Sequence, residues 1–167
     1  MAMVFFSLGT NLGDKLNNLK FALKEIKRKI GEIIKISSIY ESEPWGYISN
    51  NYFYNVCVSV NTSLNCFSIL NVIKEIEKFL GRNDKSLFGY TDRTIDIDIL
   101  FYDSLIIKTN ELIIPHDKLH ERNFVLYPLN EISPNFVHPV FKKSIKNLLL
   151  SCNDRSYIRK INEQIIY

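Results

Sequence analysis

The chain has 167 residues, 46% of them hydrophobic, and a formal net charge of +3 at pH 7. This length suits one domain over residues 1–167, and this composition can bury a core without disulfide or metal staples. The charge is too small and too dispersed for a duplex-binding surface, so nucleic acid is not an expected partner. Three cysteines without CxxC or Cys/His spacing predict neither a disulfide framework nor a zinc site, and they suit a reducing cytoplasm.

The amino-terminal half predicts a strand, a helix and two further strands. Residues 3–8 form a compact apolar run that the turn sequence GTNLGD closes, which indicates a strand rather than a signal peptide. Asp14 is placed to cap a helix, because apolar residues recur at helical spacing over residues 16–30. Residues 33–42 and 52–62 are rich in β-branched and aromatic side chains, which predicts two strands around the loop EPWGYISNN.

The following segments predict a second helix over residues 67–80 and a strand over residues 93–102, separated by a polar loop. The order βαββαβ is that of a ferredoxin-like α+β fold with helices on one face of the sheet. Additional elements follow this fourth strand: a short hairpin within 105–114, helical turns within 117–132, and a last helix within 143–152 before a polar tail. No apolar stretch is long enough to span a membrane.

The segment DRTIDIDIL places two aspartates inside a run that otherwise resembles a buried strand. Side chains alternate along a strand, so Asp96 and Asp98 point to one face while the intervening Ile97 points to the other. Such carboxylates are either a solvated acidic face or ligands for divalent cations. Hard oxygen ligands favour magnesium, which binds one or two carboxylates together with substrate phosphates. The nearby Arg82 and Arg93 favour phosphate chemistry, in which cations neutralise the transferring group.

Four segments together resemble the 6-hydroxymethyl-7,8-dihydropterin pyrophosphokinase family of the folate pathway: SLGTNLGD, IEKFLGR, DRTIDIDIL and IPHDKLHERNFVLYPL. The match covers nearly the whole chain, and the segments follow the order and spacing of that family. The resemblance implies a cytoplasmic, monomeric enzyme that transfers the β,γ-pyrophosphoryl group of ATP to the pterin hydroxymethyl oxygen and releases AMP. It also implies two Mg²⁺ ions and no membrane or nucleic-acid partner.

The resemblance assigns roles residue by residue. Asp96 and Asp98 match the metal ligands, and they share the catalytic role with the loop arginines Arg82 and Arg93. The residues that match ATP contacts are Glu77, Arg82, Arg93, His116 and Arg122. The residues that match pterin contacts are Ser42, Pro44, Trp45, Gly46, Phe53, Asn55 and Phe124, with the ring expected between the two phenylalanines. Asn11 lies in the turn that resembles the family's GSNLG segment.

The chain departs from the family pattern in the loop before Arg93. An aromatic residue, a small residue and a proline commonly precede this arginine, whereas Tyr90, Thr91 and Asp92 precede it here. A third carboxylate, Asp92, therefore enters a loop expected to face phosphate. A basic residue common in the family is replaced by Asp84, so either Lys85 substitutes for it or the contact is lost. The two long loops, 42–51 and 82–92, are expected to act as lids that exclude water.

Two other functions are compatible with a ferredoxin-like sheet. A palm-like nucleotidyltransferase also places aspartates for two metals, but it should carry a further carboxylate on a neighbouring strand and a basic track. A non-catalytic RNA-binding module would read bases with strand aromatics such as Phe53. Such a module has no use for Asp96 and Asp98, which would repel phosphate in the absence of a metal. A phosphate-binding P-loop is excluded, because GTNLGD lacks the required GK[ST] ending.

Overall fold

The computed structural model describes residues 1–81 and 91–167. The elements of the described residues are, in chain order, β1 (Ala2–Thr10), α1 (Lys15–Lys29), β2 (Glu32–Ile36), β3 (Tyr40–Ser42), β4 (Phe53–Thr62), α2 (Cys66–Phe79), β5 (Asp96–Tyr102), β6 (Ile107–Lys108), β7 (Ile113–Ile114), α3 (Asn123–Ile132), α4 (Ile145–Ser151) and β8 (Ile158–Lys160). A 3₁₀ turn, Leu119–Glu121, precedes α3. No helix in these ranges is both long and apolar enough to cross a bilayer.

One antiparallel sheet organises the molecule. Its strands lie in the order β5-β1-β4-β3-β8, and β2 pairs with β4 beyond the end of β3. The central strand β1 pairs with both β4 and β5, which brings three chain segments of distant sequence position side by side. This arrangement confirms the predicted α+β, ferredoxin-like order of strands.

The first face of the sheet is covered by α1 and α2. Asp14 caps α1 by accepting a hydrogen bond from the Asn17 backbone N–H, and Asn65 caps α2 in the same way through the Ser68 N–H. The apolar stripes of both helices pack on alternate residues of the strands, including Val4, Phe6 and Leu8 of β1 and Ile97 and Ile99 of β5. Burial of this continuous apolar surface is the main stabilising contribution to the fold.

The second face is covered over only half of its area. Phe5, Cys57 and Phe101 of the sheet form a second core with residues of α3 and α4. The pairing of β1 with β5 shifts between Phe5 and Phe6, where Leu100 is the extra residue. This bulge separates the covered half from the alternating segment that carries Asp96 and Asp98.

Three predictions about the fold require correction. Residues 33–42 form two strands instead of one, because the chain leaves the ladder at Ser37, whose hydroxyl accepts from the Cys57 backbone N–H. The polar tail contains a strand, β8, which pairs with β3. The two helices of the βαββαβ core lie on one face, as predicted, and the additional helices α3 and α4 lie on the other. The last predicted core strand begins at Asp96, and Arg93 lies in the preceding connection.

Candidate active site

The uncovered half of the second face is the floor of a cavity. Register places Gly9 of β1 between Asn55 of β4 and Asp96 of β5, and it places Ser7 beside Asp98. Small residues on the central strand therefore leave space between polar side chains on its neighbours. The residues lining the cavity are Ser7, Gly9, Ser42, Glu43, Trp45, Tyr47, Phe53, Asn55, Arg93, Asp96, Asp98, Arg122 and Phe124.

The two aspartates lie on one face, as their spacing predicts, and cations surround them. Arg93 donates from Nη1 to Asp96 Oδ2 over 2.8 Å. His116 Nε2 lies 3.7 Å from Asp98 Oδ2, and Arg122 Nη1 lies 3.9 Å from the same oxygen. His116 Nδ1 accepts from the Lys118 backbone N–H, which turns Nε2 toward Asp98. Three cationic or protonatable side chains thus converge on the two carboxylates.

The carboxylates suit a metal that takes part of its coordination from a substrate. No group of three or more His, Cys, Asp or Glu side chains suited to hold an ion occurs in the described part of the chain. Asp96 and Asp98 retain 27% and 33% side-chain exposure, so their oxygens are accessible from the cavity. Two exposed carboxylates without a closed cage fit magnesium, which keeps waters and binds substrate phosphates.

Arg122 lies under two aromatic rings. Its guanidinium carbon is 4.7 Å from the centre of the Trp45 ring and 5.7 Å from that of Phe124. The residue is only 7% exposed. Cation–π contacts with two rings restrict the movement of the Arg122 guanidinium, which lies at the cavity beside Asp98.

Phe53, Phe124 and Asn55 lie in the same cavity, as the pterin assignment requires. Asn55 donates from Nδ2 to the Tyr40 carbonyl and to Ser42 Oγ. These bonds fix the amide orientation, because a carbonyl can only accept. Oδ1 is therefore the acceptor on the Gly9 side, where a Cβ on residue 9 would lie 3.3 Å from it. The protein itself therefore uses both amide hydrogens of Asn55.

A second cavity adjoins the first at the edge of the sheet. Its apolar walls come from Leu70, Ile97, Ile99, Leu112 and Ile113. Asp98 lines both cavities, and His116 lines the second. Asn110, Glu111 and Asp117 add polar lining to this cavity. Apolar walls combined with convergent polar groups are typical of a small-molecule site. The two cavities meet at Asp98.

A hydrogen-bond network at the cavity mouth connects the loop before β4 to the segment before β5. Sequence reasoning did not predict this network. The Asp92 carboxylate accepts bonds from four side chains: Asn11, Tyr47, Ser49 and Asn51. Burial alone would raise the pKa of this carboxyl, but the bonds from Asn51, Ser49, Asn11 and Tyr47 outweigh burial and lower the pKa. Burial, followed by the bond to Asp92, raises the pKa of Tyr47 to about 12. The only signal in the sequence was the departure at Asp92 itself.

Some predicted site residues lie apart from the cavities. Pro44 and Gly46 belong to the loop at the mouth, where Gly46 makes a turn at φ +80°, but the described cavity lining does not include them. Glu77 is buried on α2, and its Oε1 accepts from the Ile97 backbone N–H over 2.9 Å. It therefore contacts the strand between the two aspartates from the opposite side. Arg82, with Asp84 and Lys85, lies outside the described residues.

Comparison with known proteins assigns this architecture to a family. Residues 5–134 match the model of 7,8-dihydro-6-hydroxymethylpterin-pyrophosphokinase (HPPK). The chain is 40% identical over 146 residues to a 2-amino-4-hydroxy-6-hydroxymethyldihydropteridine pyrophosphokinase of Aquifex aeolicus, covering 87% of this chain and 89% of that protein. It is also 40% identical over 131 residues to the enzyme of that name from Bacillus subtilis, with 78% and 77% covered.

Solved structures show the same fold. The wild-type HPPK-DHPS of Plasmodium falciparum with pteroate superposes with a TM-score of 0.74 at 21% identity over 89% of this chain. The match covers 44% of that longer chain, so the likeness concerns one part of it. Fold, family model and relatives agree, and the chain belongs to the 7,8-dihydro-6-hydroxymethylpterin pyrophosphokinase family.

Proposed function

We propose that this protein transfers the β,γ-pyrophosphoryl group of ATP to the hydroxymethyl oxygen of 6-hydroxymethyl-7,8-dihydropterin, in folate biosynthesis. The hydroxymethyl oxygen bonds to the β-phosphorus, and the bond from that phosphorus to the oxygen bridging α and β breaks. The products are the pterin diphosphate and AMP, and the hydroxyl proton passes to solvent. Family membership and relatives of this name support the proposal.

The position of Asp98 is the observation that carries the proposal. Asp98 lines both the aromatic cavity and the second cavity at the edge of the sheet. A pterin in the first and the adenosine of ATP in the second would bring the hydroxymethyl group and the triphosphate together at this carboxylate. Holding both reactants in line contributes several kcal/mol to catalysis, about 7–11 in well-oriented intramolecular reactions.

The pterin assignment rests on shape and hydrogen bonding. Phe53 and Phe124 supply flat apolar surfaces on which a fused ring can stack. Asn55 offers Oδ1 as an acceptor, which matches the N–H groups on the edge of a pterin. Ser42 supports Asn55 from below by accepting its amide hydrogen. We therefore assign ring stacking to the phenylalanines and edge selection to Asn55.

The phosphate assignment rests on charge. Arg93, Arg122 and His116 would neutralise the triphosphate, and Arg93 would exchange its present partner Asp96 for a phosphate oxygen. Asp96 and Asp98 would hold two Mg²⁺ ions, which would supply charge neutralisation and lower the pKa of the attacking hydroxyl. Arg82 and Glu77 remain predicted ATP contacts.

We further propose a cytoplasmic monomer, and measuring the molar mass by light scattering during gel filtration tests the oligomeric state.

The decisive experiment is incubation of the purified protein with ATP, Mg²⁺ and the hydroxymethyl dihydropterin, followed by chromatographic separation of nucleotides. AMP in equal amount to the pterin diphosphate is expected. ADP would indicate transfer of a single phosphoryl group, and free pyrophosphate would indicate a nucleotidyltransferase. Unchanged ATP alongside RNA binding would favour the non-catalytic module. Any of these three results contradicts the proposal.

A further inference from the structure

Asp92 lies where two loops meet at the mouth of the aromatic cavity. Its Oδ1 accepts from Asn11 Nδ2 at 2.7 Å and from the Tyr47 hydroxyl at 2.9 Å. Its Oδ2 accepts from Ser49 Oγ at 2.8 Å and from Asn51 Nδ2 at 2.6 Å. Three of these four donors belong to residues 43–52, which we call the substrate loop. The fourth belongs to the turn after β1.

Asn11 continues the connection toward Arg93. Its Oδ1 accepts from the Arg93 backbone N–H at 2.7 Å, and its Nδ2 also reaches the Asn51 carbonyl at 3.1 Å. The Arg93 carbonyl in turn accepts from the backbone N–H groups of Asn11 and Leu12. The segment that carries Arg93 is thus held to the turn after β1 through its backbone and to the substrate loop through the Asp92 side chain.

Both ends of this connection reach the cavity. Glu43, Trp45 and Tyr47 of the substrate loop line it, and Arg93 lines it from the other side. Displacement of the substrate loop would move Trp45 away from the Arg122 guanidinium, on which it stacks. The position of the loop therefore determines the shape of the pterin subsite.

The negative charge of Asp92 argues against an incidental contact between its carboxylate and the substrate loop. An anion close to a triphosphate site opposes ATP binding, so Asp92 has an electrostatic cost under the proposed function. Hydrogen bonds to a charged acceptor are about twice as strong as neutral ones, and four of them offset that cost by fixing the loop.

We infer that Asp92 is a positioning residue: its carboxylate fixes the substrate loop against the segment that carries Arg93 and thereby shapes the pterin subsite. The inference rests on the proposed function for its effect on the pterin. The loop-fixing part stands independently of any activity.

The first test uses the protein without ligands. Trp45 is the single tryptophan of the chain and lies in the substrate loop, so its fluorescence reports loop position directly. We expect Asp92→Ala and Asp92→Asn to increase acrylamide quenching of Trp45 by about twofold or more, as the ring leaves its stacked position. Tyr52→Phe is the matched control. It removes a hydroxyl from the same loop for which no hydrogen bond occurs among the described residues, and its quenching should equal that of the wild type.

The second test uses turnover. We expect Asp92→Ala to raise the KM for the pterin by about 10- to 100-fold, while the KM for ATP stays within about twofold. The double variant Asp92→Asn/Asn51→Asp exchanges the two partners. It reverses the direction of the hydrogen bond between residues 51 and 92 and restores one negative charge to the network. This double variant should recover pterin KM to within about threefold of the wild type.

Several results would overturn the inference. If the Asp92 variants only melt at lower temperature, with wild-type quenching and pterin KM, the residue supports the fold alone. A double variant no better than Asp92→Asn would refute the pairing with Asn51. If Asp92→Ala does not fold, Asp92→Asn decides by the same two measurements. Absence of AMP with the wild type would refute the proposed function, whereas the quenching result would still decide the loop-fixing role.

Discussion

The two halves of the second sheet face are formed by the same three strands, but one half packs against helices and the other lines a cavity. In the covered half, Phe5, Cys57 and Phe101 pack against α3 and α4. The open half lies two to five residues away on each strand. There the same strands present Gly9, Asn55 and the two aspartates to a cavity. Side-chain size and polarity distinguish these halves, and apart from the bulge at Leu100 the backbone pairing continues through both. A row of apolar side chains across the strands is covered by helices. A row of polar side chains with a glycine at its centre stays open and forms a binding cavity.

The largest expected effect comes from neutralising the carboxylates of the open half. Asp96→Asn and Asp98→Asn keep shape but lose charge, and each should lower AMP formation by about 10³-fold or more, as expected for loss of metal-dependent charge stabilisation. Circular dichroism should show that both fold. Near-wild-type AMP formation by either variant at ordinary Mg²⁺ would exclude its role as a metal ligand.

Next in size is the loss of an aromatic wall. Phe53→Ala should weaken pterin binding by roughly 5- to 150-fold, taking about 1–3 kcal/mol per stacked base as the nearest analogue. Affinity for a non-hydrolysable ATP analogue, measured by calorimetry on the same preparation, should change little. Equal loss of affinity for both ligands would mean that Phe53 supports the packing of the fold. The open half would then contribute to stability in the same way as the covered half.

A smaller effect follows from filling the centre of the floor. A Cβ at Gly9 would lie 3.3 Å from Asn55 Oδ1 and 3.6 Å from Phe53 Cδ1. Gly9→Ala should displace these two side chains by a few tenths of an ångström and reduce pterin affinity by about 3- to 10-fold, equivalent to about 1 kcal/mol. ATP affinity provides the internal reference. Unchanged pterin binding would show that the ring does not occupy this part of the floor.

The last effect concerns the covered half, changes stability instead of ligand binding, and appears only with pH. Burial, with a smaller contribution from His120, lowers the pKa of His138 to about 4. Between pH 6.5 and 4 the unfolded chain binds a proton that the folded chain does not, so stability falls as pH decreases through this window. We expect His138 to contribute about 1–2 kcal/mol to this loss.

Urea unfolding at a series of pH values tests this expectation. His138 Nδ1 accepts from the backbone N–H groups of Val140 and Phe141, and asparagine can retain such an acceptor. His138→Asn should therefore be less stable at neutral pH, because it loses ring contacts with Phe101 and Phe141, but it should show a flatter dependence on pH. A slope equal to that of the wild type would assign the acid sensitivity to other groups.

The open half was predictable from sequence to the extent that local rules determine it. Strand alternation placed Asp96 and Asp98 together, and the family resemblance brought Phe53, Phe124 and Asn55 to the same cavity. The Asp92 network was not predictable, because it depends on how two loops distant in sequence close over each other. The orientation of the Asn55 amide likewise depends on the Tyr40 carbonyl across a strand pair. The strand β8 was missed because a short edge strand in a polar tail has almost no periodic signal.

The contact between Glu77 and Ile97 also affects how the molecule behaves toward its own copies. Among the described strands, β5 pairs on one side only, with β1, so its other side forms an edge of the sheet. Exposed edge amides can template pairing with a strand of another molecule and so initiate aggregation. Glu77 occupies the Ile97 amide from a buried position, at the centre of the segment DID. The same carboxylate that steadies the strand between the aspartates therefore removes a donor through which two copies could associate edge to edge.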